Sequence, residues 1–241
     1  MTSLTGRVAL VTGGSRGIGF AVARRLGSDG FAVAISARKP EGVASAIGRL
    51  EKLVPSARFA GMAGDARSET DQKALVDFVG DTFGRLDVLV NNAGIGDFDS
   101  IEKLEPERFR AVVETNLFGP YYATYFAVPL MKKGTGGFIV NIGSLAAVNA
   151  FAGGSAYNAS KFGLLGFSDS SMLDLRHQGI RVAAILPGSV ATEFGHSHGD
   201  REHSWMLSSD DVAEAVADLI RFPDRAIASR IDLRPSRPPK R

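Results

Sequence analysis

The sequence contains no cysteine. That excludes disulfide cross-links, thiolate metal sites and cysteine nucleophiles. It also suits a chain kept in a reducing compartment, so a cytoplasmic location is expected. No apolar run approaches the ~20 residues a membrane helix needs. The apolar run Val8–Val11 near the N-terminus has only four residues and no charged segment before it, and so reads as a strand rather than a secretion signal. Charge of one sign is also scarce: the formal net charge is +2, and part of that excess sits in residues 234–241. The basic residues of that tail are few and lack interleaved aromatics, so nucleic acid is not expected as a partner. Histidines number four, three of them at His196, His198 and His203. No helical carboxylate–histidine pattern surrounds them, so no metal site is expected there.

What is present is ordinary in amount and distinctive in order. The chain has 241 residues, 44% apolar and 22% charged, enough for one α/β domain with a sizeable core. No internal repeat or second domain is visible. Residues 1–241 therefore read as one dinucleotide-binding catalytic domain, with residues 234–241 as a disordered tail. Short apolar runs alternate with helical patterns. Strands are expected at residues 8–11, 31–37, 58–63, 87–90, 138–142, 180–186 and 226–233. Helices are expected from Ala21, at 41–53 and 69–83, from Pro106 to about Met131 after a loop and a short helix, from Tyr157 to His177, and at 210–221. Such alternation implies a doubly wound, Rossmann-like parallel sheet with helices on both faces.

Several strand ends carry chemistry. After the first strand comes Thr12-Gly13-Gly14-Ser15-Arg16-Gly17-Ile18-Gly19 and then a helix. Glycines let the backbone turn sharply and let a ligand approach. The helix N-terminus offers N–H groups and partial positive charge to a pyrophosphate. A plain strand-to-helix loop would look similar. Strand two ends Ser36-Ala37-Arg38-Lys39, without the acid that binds ribose hydroxyls in many such folds. Arg38, Lys39 and Arg16 suit a 2′-phosphate, although a solvated basic turn has the same composition. Asp65, after strand three, either caps the next helix or contacts an adenine. Asn91-Asn92-Ala93-Gly94 follows strand four, where open α/β sheets bind ligands. Asn116 is a polar exception in an apolar helix, either a satisfied core amide or part of a site.

Ser144 follows strand five, and Tyr157 and Lys161 stand four apart on the next helix. That spacing puts phenol and ammonium on one helix face. A phenol titrates near ~10, and a nearby ammonium lowers that value. The pair is thus a candidate proton donor and acceptor, with the Ser144 hydroxyl available to a substrate oxygen. Residues 189–209 show little periodicity. They read as a polar lid whose Phe194, Trp205, Met206 and Leu207 would meet an apolar part of a substrate.

Taken together, these motifs resemble the compact branch of the short-chain dehydrogenase/reductase family. The carriers are Thr12, Gly13, Gly17 and Gly19, then Asn91 to Gly94, Asn116, Ser144, Tyr157, Lys161, Pro187 and Gly188. The resemblance spans nearly the whole chain. It implies an NADP(H)-dependent oxidoreductase acting on a small carbonyl or secondary alcohol with an apolar portion. Asn116, Ser144, Tyr157 and Lys161 would be catalytic, with Lys161 lowering the tyrosine value and Asn116 holding a relay water. The cofactor would lie on Gly13, Ser15, Arg16, Gly17, Ile18 and Gly19. It would extend to Arg38, Asp65 and Ala66 at the adenine end. Asn92, Ala93, Gly94, Tyr157, Lys161, Pro187, Gly188, Val190 and Thr192 would line the nicotinamide end. A homodimer or homotetramer is implied, paired through the 106–131 and 157–177 helices. Two features depart from related patterns. Gly143 precedes Ser144 where a second serine is common. Leu233-Arg234-Pro235 closes the last strand where 3-oxoacyl-carrier-protein reductases place a glycine pair. Such a reductase, an NAD-preferring alcohol dehydrogenase and a non-catalytic dinucleotide sensor are the alternatives. A sensor would have no need of both Tyr157 and Lys161.

Overall fold

The computed structural model describes residues 6–192 and 204–239. His196, His198, His203 and Phe194 lie outside the described residues. Seven strands form one sheet: β1 (Val8–Val11), β2 (Ala32–Ala37), β3 (Phe59–Ala63), β4 (Val88–Asn91), β5 (Gly137–Ile142), β6 (Ile180–Pro187) and β7 (Arg230–Leu233). All pairings are parallel, in the order β3-β2-β1-β4-β5-β6-β7. The chain runs outward from β1 to β3, then returns to pair β4 with β1. Ligands of open α/β sheets bind at the carboxyl ends of such a reversal. The glycine loop after β1 and the asparagine pair ending β4 therefore meet at this point.

Alternate residues of the buried strands face opposite cores. Ala9 and Val11 join the apolar cluster under α1 (Gly17–Ser28), α2 (Pro40–Leu53) and α7 (Ser209–Arg221). Val8 and Leu10 join the cluster under α3 (Glu69–Phe83) and α5 (Gly119–Lys133). Leu175, at the end of α6 (Ser155–Leu175), packs there too. Among the described residues no helix is long and apolar enough to cross a membrane.

Four elements differ from expectation. The 106–131 segment is not one α-helix. It comprises α4 (Pro106–Val113), a π-helical turn at Glu114–Phe118, and α5. Pro120 has no N–H to give the carbonyl four residues back, that of Asn116, and its ring crowds that carbonyl. The chain widens instead, and the Gly119 N–H bonds Glu114 five residues back. The short helix expected before Pro106 is only a turn. β7 begins at Arg230, not Ala226, because the Ala226 N–H turns back to the Pro223 carbonyl. Finally, Asp65 does not cap α3: Ser68 does, its hydroxyl accepting from the Asp71 N–H. Ser208 caps α7 in a reciprocal pair with Asp211.

Candidate active site

The glycine loop is braced from β4. The Thr12 hydroxyl accepts from the N–H groups of Asn92 and Ala93 at 3.0 and 3.1 Å. Asn92 Nδ2 donates to the carbonyls of Thr12 and Gly13. Gly13 has φ +65°, a conformation that favours glycine. A Cβ on Gly19 would lie 2.4 Å from Asn92 Nδ2 and from the Gly13 carbonyl, so the brace leaves no room for a side chain. Helix α1 then starts after Arg16, with no side-chain cap and no acid in its first turn. Its positive end is thereby left to an anion. Ser15, Ile18 and Gly17 belong to this rim, and Thr192 faces the Gly17 backbone.

At the other end of the crevice, Ala37 is the last paired residue of β2, aligned with Ala63 of β3. Arg38 follows at once and is exposed. Its charge acts on Asp65, whose carboxylate is held below the usual range mainly by its hydrogen bonds with Arg67, at 2.6 Å from the guanidinium. Asp65 is thus already paired with Arg67. Ala66 packs on Gly119, where a Cβ would lie 2.9 Å from the Ala66 carbonyl oxygen. A Cβ on Gly94 would lie 3.2 Å from Asn116 Oδ1. On the far side, Gly188 donates to the Leu233 carbonyl and Val190 bridges to Leu207, so Pro187, Gly188 and Val190 border the same edge. A dinucleotide fits this donor set: an uncapped helix end for phosphates, a cation beside the β2 end, and glycines at the close approaches.

Ser144, Tyr157 and Lys161 converge between β5 and α6. Ser144 caps a short 3-10 turn, its hydroxyl accepting from the Ala146 N–H, and it is hydrogen-bonded to the Tyr157 side chain. Lys161 is 5% exposed. Its Nζ donates to the Ile142 carbonyl at 3.0 Å and lies 5.7 Å from the Tyr157 ring centroid. Burial pushes Lys161 down to about 8. Burial also raises Tyr157, with the Ser144 hydrogen bond opposing it. Lowering of the tyrosine by Lys161 therefore stays a proposal: burial is the larger influence on the phenol here. The ammonium donates to the Ile142 carbonyl, and exclusion of solvent disfavours the phenolate.

Asn116 sits in the π-helical turn and is fully buried. Its Oδ1 accepts from the Ile95 N–H at 2.8 Å, and its Nδ2 donates to the Ile95 carbonyl and to Ser160 Oγ. Ser160 donates in turn to the Tyr157 carbonyl. Asn116 therefore ties the loop after β4 to the helix carrying Tyr157.

Three neighbours escaped the reading of the sequence. Asn158 Nδ2 donates to the Ala146 carbonyl at 2.8 Å and fastens the Ser144 segment to α6. Phe98 stands edge-on to Tyr157, ring centroids 5.5 Å apart, and Phe151 lies 5.8 Å from Phe98. Asn158 was legible as a buried amide beside Tyr157. The two phenylalanines lie in loops without periodicity, and no sequence signal brings them together.

A family model described as short chain dehydrogenase matches residues 7–203. The 3α-hydroxysteroid dehydrogenase of Mediterraneibacter gnavus is 35% identical over 190 residues, 79% of this chain and 76% of that protein. A crystal structure of a metagenomic short-chain oxidoreductase in complex with NADP has a TM-score of 0.85 at 35% identity, covering 98% of this chain and all of the other (100%). The 3-ketoacyl-(acyl-carrier-protein) reductase from Brucella melitensis, complexed with NADH, has a TM-score of 0.88 at 31% identity, covering 98% of this chain and 99% of that one.

Proposed function

The chain belongs to the short-chain dehydrogenase/reductase family and is an NAD(P)-dependent oxidoreductase, and on that premise we propose that it is an NADP(H)-dependent carbonyl reductase with Tyr157 as its acid. The observation that carries this reading is the convergence of Ser144, Tyr157 and Lys161 beside the sheet's reversal point.

NADPH, once bound, supplies the hydride that adds to the carbonyl carbon. The chain's own groups place the reactants and manage the proton. The α1 end would receive the pyrophosphate, and Arg38 would hold the 2′-phosphate that an acid at Ala37 would repel. Ser144 donates to the carbonyl oxygen. Tyr157 gives its proton to that oxygen as negative charge develops there. A tyrosine raised by burial is fully protonated at neutral pH, the form reduction requires. Lys161, brought to about 8, exchanges a proton near working pH and can return one to the tyrosine, with Asn116 positioning its helix.

We assign Asn116, Ser144, Tyr157 and Lys161 to this chemistry, and the crevice residues from Gly13 to Thr192 to the cofactor. We further assign a homo-oligomer built on α5 and α6. The NADH complex of the Brucella relative keeps NAD(H) in play, and Arg38 is the reason NADP(H) is preferred here. The function is tested by following NADPH absorbance over a panel of ketones and aldehydes. Consumption with at least one ketone, and slower consumption with NADH, is expected. Preference for NADH with every substrate would overturn the cofactor assignment.

A further inference from the structure

We propose that the preferred substrate carries a flat ring on its carbonyl carbon, and that Phe98 and Phe151 form the notch that reads this ring. The inference rests on the reductase reading of the Tyr157 site and narrows its substrate class. Phe98 is 43% exposed and Phe151 48% exposed, both well above the norm for so large an apolar side chain. Their rings are inclined at 49°, and Phe98 meets the Tyr157 ring at 68°. The open aromatic surface is thus continuous with the proposed acid. Aromatic rings prefer tilted and edge-to-face partners, and the exposed faces of these two can take a further ring.

The notch is held rigid from both sides. Asp97 and Asp99 flank Phe98, and Arg108 grips both: Nε donates to Asp97 Oδ2 at 2.8 Å and Nη1 to Asp99 Oδ2 at 3.1 Å. The two acids beside the ring are thereby neutralised. The Asp99 N–H bonds the Gly153 carbonyl at 2.9 Å, joining the Phe98 loop to the Phe151 loop. Asn158 Oδ1 accepts from the Phe151 N–H at 3.4 Å. Gly154 lies against the Phe151 ring so closely that a Cβ would stand 2.6 Å from it. Rings fixed in advance lose little freedom on binding, and a flat ring has no rotamers to lose. A flexible alkyl chain of equal size gains the apolar burial but loses its own rotamers and has no ring to pair with the phenylalanines.

The test compares acetophenone with 2-octanone, which have the same number of carbons. The wild type is expected to favour acetophenone in kcat/KM by about tenfold or more, the scale of an aromatic pair added to a lower ordering cost. Phe98→Ala and Phe98→Leu should each bring the acetophenone/2-octanone ratio down to about a tenth of that of the wild type. Phe151→Ala should lower it several-fold. The leucine variant keeps an apolar side chain, so a preserved ratio there would show that greasiness and not a ring is being read. A wild-type ratio near or below one, or a ratio unchanged in all three variants, overturns the proposal. Saturation-transfer NMR of the two ketones on the Tyr157→Phe enzyme with NADPH reads the notch without turnover. If that preference holds while no ketone is reduced by the wild type, the reductase reading fails and the notch stands. Turnover without the preference rejects the notch alone.

Discussion

The Lys161 ammonium lies 5.7 Å from the Tyr157 ring centroid, yet its hydrogen bond goes to the Ile142 carbonyl. The lysine is a buried cation whose value falls to about 8 because solvent is excluded. Between about 8 and the ordinary ~10.4 the unfolded chain holds this proton more tightly than the folded one. Folding stability must therefore rise with pH across that window, and the cost of the buried charge is fully present below it. Replacing Lys161 by Met removes the titration. Relative to wild type, the variant should be more stable near pH 7 than near pH 10, by about 2–3 kcal/mol. Urea unfolding of both proteins at the two pH values measures this. A difference independent of pH would show that the lysine is not desolvated.

Arg38 is expected to choose the cofactor. It is exposed, so its bond to a phosphate falls below the ~1.5–3 kcal/mol of a full charge-assisted contact, but tenfold selectivity needs only ~1.4 kcal/mol. In Arg38→Asp, NADPH affinity should drop by about tenfold or more and NADH affinity should hold or rise. Fluorescence titration of both cofactors gives the answer. Unchanged NADPH binding would move the 2′-phosphate elsewhere.

The α5 and α6 surface should hold copies of the chain together. Tyr121 and Tyr125 on α5, Phe162 on α6 and Phe118 in the turn before α5 are exposed there, Tyr125 by 60%. Tyr121 meets Phe167 edge-on at 6.2 Å, so the aromatic face spans both helices. Exposed apolar faces of this kind mark interfaces. Light scattering at micromolar protein should give at least a dimer. A Tyr121→Glu/Tyr125→Glu variant should shift it toward a 25.5 kDa particle. A wild type already at that mass rejects the interface.

The central strands were legible because they are short buried apolar runs, most of them closed by glycine, asparagine or proline. Val8–Val11 and the 138–142 run needed little beyond periodicity. The edge strand β7 was overextended because Ala226 and its neighbours are apolar enough for a strand, while Pro223 folds them into a turn. The π-helical turn was missed because a helical pattern gives no sign of hydrogen bonds one residue longer. Pro120 was the available clue. At the site, positions came through better than electrostatics. Spacing brought Tyr157 to Lys161, but only the fold reveals that Lys161 is buried against Ile142. The lid assigned to residues 189–209 has its ends joined, with Ala191 and Leu207 bonded at 2.8 Å, and its middle lies outside the described residues.

The account turns on the Tyr157 hydroxyl, and Tyr157→Phe removes that group and little else. With a ketone that the wild type reduces, kcat measured by NADPH absorbance should fall by at least ~10², the usual contribution of a positioned acid. NADPH affinity, measured by fluorescence on the same protein, should stay close to that of wild type. Near-normal turnover in Tyr157→Phe, with the cofactor still bound, would contradict the central claim.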